Sequence, residues 1–148
     1  MTRVDRLDVV QQMADRAERE RAERLAEAER NAIEAEQKLV ALERYRNEYE
    51  AQLATRGAAG VEVSGVREFH AFLARLGEAL VAQRQVLSAA RATRDQMLNS
   101  WREAAQRAQV VQTLADRWLD EERRDEDRRT QRESDELAQR GNAQKGER

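Results

Sequence analysis

Cysteine and proline are both absent from the 148 residues, aromatic side chains make up only 4% of them, and glycine occurs six times. Without cysteine there is neither a disulfide framework nor a thiolate metal site. Without proline nothing obliges a helix to kink or stop. No apolar run reaches the roughly 18 residues that a membrane-spanning helix needs. The opening Met1-Thr2-Arg3-Val4-Asp5-Arg6 lacks the apolar core of a secretory signal, so a cytoplasmic protein is expected. Nor does either charge dominate. The 27 basic and 29 acidic residues leave −2 in all, divided as −3 over 1–50, +3 over 51–119 and −2 over 120–148. No segment has the basic excess of a nucleic-acid binder, and none is expected to be one.

What remains is a chain 38% charged, with a mean hydropathy of −0.96 and alanine supplying much of its apolar content. That is too little for a broad core, and it is the composition of coiled coils and long helices. From Val4 to about Ala54 there is no glycine. Leu25, Ala28, Ala32, Ala35, Leu39, Leu42, Tyr49 and Leu53 recur at intervals of three and four, with Arg46 interrupting. This is the a/d seam of a coiled coil. Upstream, Leu7, Val10, Ala14 and Ala17 make a second stripe that joins the first imperfectly. A stutter near Arg21 would join them while burying little charge; the alternative places Glu18 and Arg21 in the seam.

Residues 56–65 contain three glycines and form the one internal stretch with the composition of a break. Ser64 is a candidate cap for the helix after it. Positions 66, 69, 73, 76, 80, 83, 87, 90, 94, 97, 101, 104, 108, 111, 115 and 118 then keep an unbroken rhythm, and fourteen of the sixteen are apolar. Gln83 and Arg94 are the exceptions. Trp101 and Trp118 fall in this seam, where the small Ala14 or Ala17 could face them. Arg46 and Arg94 would fix register or snorkel outward.

A break centred near residue 60 makes the two helices antiparallel partners, with residues whose numbers add to about 121 at one level. The first helix then runs out opposite Trp118 and Leu119. There the sequence changes: residues 120–140 hold fifteen charged side chains in twenty-one and one large apolar residue, Leu137. A helix without a partner needs no apolar stripe. The fold expected is all-α: two long helices in an antiparallel coiled-coil hairpin, the second longer and overhanging. The helices span about 4–55 and 66–140, with 141–148 disordered. Pairs such as Asp120–Arg124 and Asp125–Arg129 would help hold the overhang.

Chemistry is hard to find. His70, the only histidine, lies beside Phe69 and Phe72 with no second ligand in helical register. There is no phosphate-binding glycine loop, and Lys38 and Lys145 are the only lysines. Ser64, Ser88, Ser100 and Ser134 have no base in view. No catalytic residue, metal, cofactor or small-molecule substrate is expected. The aromatics are more informative. Leu42, Tyr45 and Tyr49 share one face of the first helix, and Phe72, Leu76 and Ala79 one face of the second. Under antiparallel pairing these six meet in one patch. It is either a wide packing layer or a docking surface for another protein.

Leu42, Tyr45, Glu48 and Tyr49 before the break, Phe72, Leu73 and Leu76 after it, Trp101-Arg102-Glu103, and Asp135-Glu136-Leu137-Ala138 together give the chain its resemblance to the FliJ family of flagellar export proteins. The resemblance covers nearly the whole length. It implies a non-enzymatic component of the flagellar type III export apparatus, cytoplasmic and peripheral to the inner membrane at the flagellar base. Such proteins resemble the stalk of rotary ATP synthases. Partners implied are the hexameric export ATPase (FliI) and its regulator (FliH), the export gate protein (FlhA) and export chaperones. The overhang, with Arg123, Arg124, Arg128, Arg129, Asp135 and Glu136, would meet the ATPase. The patch of Leu42, Tyr45, Tyr49, Phe72, Leu76 and Ala79 would meet the gate or chaperones. The free protein would be a monomer. A stalk protein of a virulence-type secretion system and a self-associating scaffold are the alternatives.

Overall fold

The computed structural model describes residues 2–58, 60 and 63–146. Two helices account for nearly all of them: α1, Arg3–Ala58, and α2, Val63–Gly146. No strand is present among the described residues. The protein is an all-α antiparallel helical hairpin.

A reciprocal cap opens α1. The Asp5 N–H donates to Thr2 Oγ1 (3.1 Å), and the Thr2 N–H donates to Asp5 Oδ2 (3.0 Å). Two otherwise orphaned donors are satisfied at once, and the carboxylate stands at the positive end of the helix. These bonds hold the Asp5 carboxyl below its ordinary pKa, the bond from the Thr2 backbone contributing most. After Ala58 the chain turns at Gly60, whose φ of 82° is open to glycine at little cost. Its N–H reaches the Gly57 carbonyl at 3.4 Å. Because α1 extends to Ala58 and α2 starts at Val63, the connection is tighter than the ten-residue break expected. Ser64 falls inside the first turn of α2, so it does not precede the helix as a cap, and its side chain lies outside the described residues.

Packing groups the hairpin into two units, residues 1–18 with 103–148 and residues 19–102. In the second unit, Ala28, Ala32 and Ala35 of α1 and Leu76, Leu80 and Leu87 of α2 are buried, Leu80 to 1% exposure. Small residues on one helix leave room for leucines on the other. The Gln83 Nε2 donates to the Ala35 carbonyl (3.0 Å), and the Arg21 Nε donates to Ser100 Oγ (2.9 Å). In the first unit Leu7 and Ala104 are buried, and the Gln11 Nε2 lies 3.5 Å from the Ala108 carbonyl. Within each unit residue numbers rise on one helix as they fall on the other.

All sixteen seam positions of α2 are buried or half-buried. The α1 seam differs from the expectation. Val10 is 47% exposed, whereas Gln11, Glu18 and Arg21 are half-buried. The inward series Val4, Leu7, Gln11, Ala14, Glu18, Arg21, Leu25 keeps the 3-4 rhythm, so no stutter is needed. The polar side chains accommodate it by laying their stems along the seam and bonding at its edge. Arg46 and Arg94 are likewise half-buried. Arg94 turns to Asp95 (3.2 Å), and Arg46 lies 3.9 Å from Glu50.

With Val4, Gln11 and Arg46 at a and Leu7 and Leu42 at d on α1, and Val66 at a and Phe69 at d on α2, flanking positions pair like with like across the helices. At e, Glu43 meets Arg84 (3.7 Å) and Glu36 meets Arg91 (3.6 Å) in the second unit. At g, Arg3 meets Glu121 (3.1 Å) in the first. All six side chains are substantially exposed, so each pair adds at most about 1 kcal/mol.

Candidate functional site

Two features outlast the packing: an aromatic cluster in the second unit and a bare helix in the first. Tyr45 and Phe72 both occupy g, the side of the seam away from the Glu43–Arg84 and Glu36–Arg91 pairs. Tyr49 stacks on Phe72, ring centroids 4.4 Å apart and planes at 29°. Tyr45 touches Tyr49 at 5.0 Å and the Phe72 edge at 6.2 Å. Phe69 closes the group at 5.8 Å from Tyr49, and the Arg56 guanidinium lies 5.0 Å over the Phe69 ring.

Burial grades the six patch residues. Leu76 is buried; Leu42, Tyr49 and Phe72 are half-buried; Tyr45 and Ala79 are exposed. The patch is thus a packed layer with an accessible edge, and Leu76 belongs to its foundation. A shallow hollow lined by Tyr49, Glu68, Phe69, Phe72 and Arg75 adjoins it. The Tyr45 hydroxyl has a raised pKa, chiefly from a hydrogen bond with Tyr49, then from the charge Tyr49 would carry, burial and the Glu48 carboxylate. Phe69 and Arg56 extend the cluster beyond the six patch residues expected. Their signal was present: Phe69 precedes Phe72 by three residues, and Arg56 follows Tyr49 by seven.

In the first unit α1 ends its cover at Arg3. The Arg3 guanidinium sits 4.1 Å over the Trp118 ring and pairs with Glu121. Trp118 therefore meets an arginine, not Ala14 or Ala17, because the helix register brings the chain's start opposite it. From Leu119 to Gly146 every described residue is exposed. Arg123, Arg124, Arg128, Arg129, Asp135 and Glu136 all lie on this bare helix. Its ion pairs are Asp120–Arg123 (3.5 Å) and Asp125–Arg128 (3.6 Å), three residues apart rather than the four expected. Gln131 donates to Asp135 (3.1 Å). The helix also runs six residues past 140, through Gly141, instead of giving way to a disordered tail; one glycine costs a helix only about 1 kcal/mol.

No group of three or more histidine, cysteine or acidic side chains is arranged to hold a metal ion among the described residues. No helix there is long and apolar enough to cross a membrane. What the two features can do is recognise protein surfaces, one through rings and one through charge.

Comparison with known proteins bears on which. The family model described as "Flagellar FliJ protein" matches residues 2–147. A Flagellar FliJ protein of Escherichia coli (strain K12) is 33% identical over 141 residues, covering 95% of this chain and 96% of its own. One of Salmonella typhi, also named Flagellar FliJ protein, shows the same identity and coverage. No solved structure matches the chain.

Proposed function

The chain belongs to the FliJ family of flagellar proteins, and from that membership we propose that it works as a stalk-like, non-enzymatic component of the flagellar type III export apparatus. In this reading the bare end of α2 enters the hexameric export ATPase (FliI), which acts with its regulator (FliH). The aromatic edge docks on the export gate protein (FlhA) or on export chaperones. The observation that carries the reading is the run from Leu119 to Gly146, a charged helix exposed on every side. A helix that needs no seam is free to be surrounded by another protein.

The mechanism is mechanical. An asymmetric helix inside a six-fold ring touches its subunits unequally, and unequal contacts bias their nucleotide states. Arg123, Arg124, Arg128 and Arg129 would face acidic groups of the ring, and Asp135 and Glu136 basic ones. The protein acts at the cytoplasmic face of the inner membrane, at the flagellar base.

Co-sedimentation of the purified chain with the export ATPase of the same organism tests the first half. A complex that survives Tyr45→Ala but is lost on removing residues 120–148 is the expected result. A complex indifferent to that removal would contradict it. A scaffold formed by self-association would instead sediment as a dimer or larger without any partner.

A further inference from the structure

In the first unit, charge is sorted by side. The basic residues of its paired segments, 3–18 and 103–118, are Arg3, Arg6, Arg16, Arg107 and Arg117. All occupy g, c or f. Of the acids, Asp5, Asp8, Asp15 and Asp116 occupy e or b, across the seam. All four are held there, Asp5 by the Thr2 N–H (3.0 Å), Asp8 by Gln12 (3.3 Å), Asp15 by Gln11 (2.9 Å) and Asp116 by Gln112 (3.1 Å). Glu18 is in the seam, and Glu103 alone lies on the basic side.

The basic side also carries exposed apolar residues. Val10 and Met13 on α1 occupy g and c, and Val110 and Leu114 on α2 occupy c and g. Met13 is 67% exposed and Val110 61%. The Arg3–Glu121 pair shows that g residues of the two helices share one side here. The Gln11–Ala108 contact puts Val10 on a level with Val110. A shallow hollow runs beside them, lined by Gln109, Val110, Thr113, Leu114 and Arg117.

Each apolar pair is bracketed by arginines one turn away: Arg6 and Arg16 around Val10 and Met13, Arg107 and Arg117 around Val110 and Leu114. None of these four arginines makes an ion pair among the described residues, whereas Arg3 on the same side does.

We propose that this side of the first unit, Val10, Met13, Val110 and Leu114 framed by Arg6, Arg16, Arg107 and Arg117, is a docking groove for an acidic amphipathic helix of a partner protein. The occupant lays an i, i+3, i+4, i+7 apolar stripe between α1 and α2 and places Glu or Asp on both flanks, opposite the arginines. A second copy of this chain does not fit, since self-pairing of the groove would set arginines against arginines. This surface is separate from the aromatic edge and from the bare helix, so it stands whether or not those bind as proposed above.

The test uses the full chain and two synthetic 21-residue helices. One carries leucines at that spacing flanked by glutamates; the other has every glutamate replaced by lysine. Fluorescence anisotropy at low and physiological salt measures binding of each, and circular dichroism monitors the fold of every variant. The acidic helix should bind at least tenfold tighter than the basic one, and more weakly as salt rises. Leu114→Glu should abolish its binding. Arg107→Glu with Arg117→Glu should weaken it tenfold or more and create binding of the lysine helix. Since all these positions are exposed, the helix content should not change. Equal binding of the two peptides, or acidic-helix binding untouched by the charge reversal, overturns the proposal. So does concentration-dependent dimerisation abolished by Leu114→Glu, which would make the occupant a second copy. Capture on phosphatidylglycerol vesicles without binding of the acidic helix would make it a lipid surface, and would equally overturn it.

Discussion

The ring of Tyr49 stacks on that of Phe72 across the hairpin, 4.4 Å between centroids. This contact joins α1 to α2 a few turns from Gly60, and it separates two roles within one patch. Tyr49 and Phe72 hold the helices together, whereas Tyr45 and Ala79 face outward. Tyr49→Ala should lower stability by about 1–2 kcal/mol, less than a fully buried aromatic because both rings are half-exposed. Thermal unfolding followed by circular dichroism reads this directly. Tyr45→Ala should move the midpoint far less and instead weaken binding to the gate protein. If Tyr45→Ala melts the hairpin as much as Tyr49→Ala, the patch is packing alone.

Among the described residues Leu80 is the most enclosed side chain, on the helix that supplies the leucines to the alanine face of α1. Truncation to alanine should cost about 2–3 kcal/mol, the low end for a buried leucine, since a two-helix core lets neighbours close in. The same change at exposed Val81 should be near neutral. Denaturant titration of the two variants distinguishes them.

Gly60 holds φ at 82° with open space around the position where a Cβ would stand. Gly60→Ala therefore meets no clash and costs only the strain of a left-handed conformation, about 1 kcal/mol. Unfolding midpoints of the two proteins give the comparison. A much larger loss would mean that the connection cannot relax.

Two titrations should be visible. Asp5 has a depressed pKa in the folded chain, so its contribution is present above the unfolded value and is lost as pH falls through the folded one. Asp5→Asn should remove this acid-side loss, seen as a smaller decline in melting temperature as pH falls below about 4. Tyr45 is raised, so the stability it brings is intact below about pH 10 and is lost as pH climbs through its folded value. Tyr49→Phe should bring the Tyr45 ionisation, followed by ultraviolet absorbance, back toward the ordinary range.

Periodicity revealed most of the fold, and its failure along the start of α1 has one cause. Every α2 seam position was readable because apolar residues occupy fourteen of the sixteen. On α1 the seam passes through Gln11, Glu18 and Arg21, which counting apolar residues ignores, so the apolar spacing points to exposed Val10 instead. Long polar side chains bury their stems without any hydropathy signal. The meeting of Tyr45, Tyr49 and Phe72 across the hairpin was legible, but the grading of burial among the patch residues was not, because exposure depends on which flank of the seam a residue occupies. Phe69 fills its seam position and also touches Tyr49, a contact that periodicity alone does not give. The arginine-framed groove was invisible until the helix register was known, since each helix alone shows only two apolar residues between two arginines.

The most direct test of the stalk reading is ATP hydrolysis by the purified export ATPase of the same organism, measured alone, with the full chain, and with residues 1–119. The account predicts stimulation by the full chain and none by the shortened one, with the helicity of the paired segments retained in both. Equal stimulation by the two, or no effect of the full chain, would contradict it.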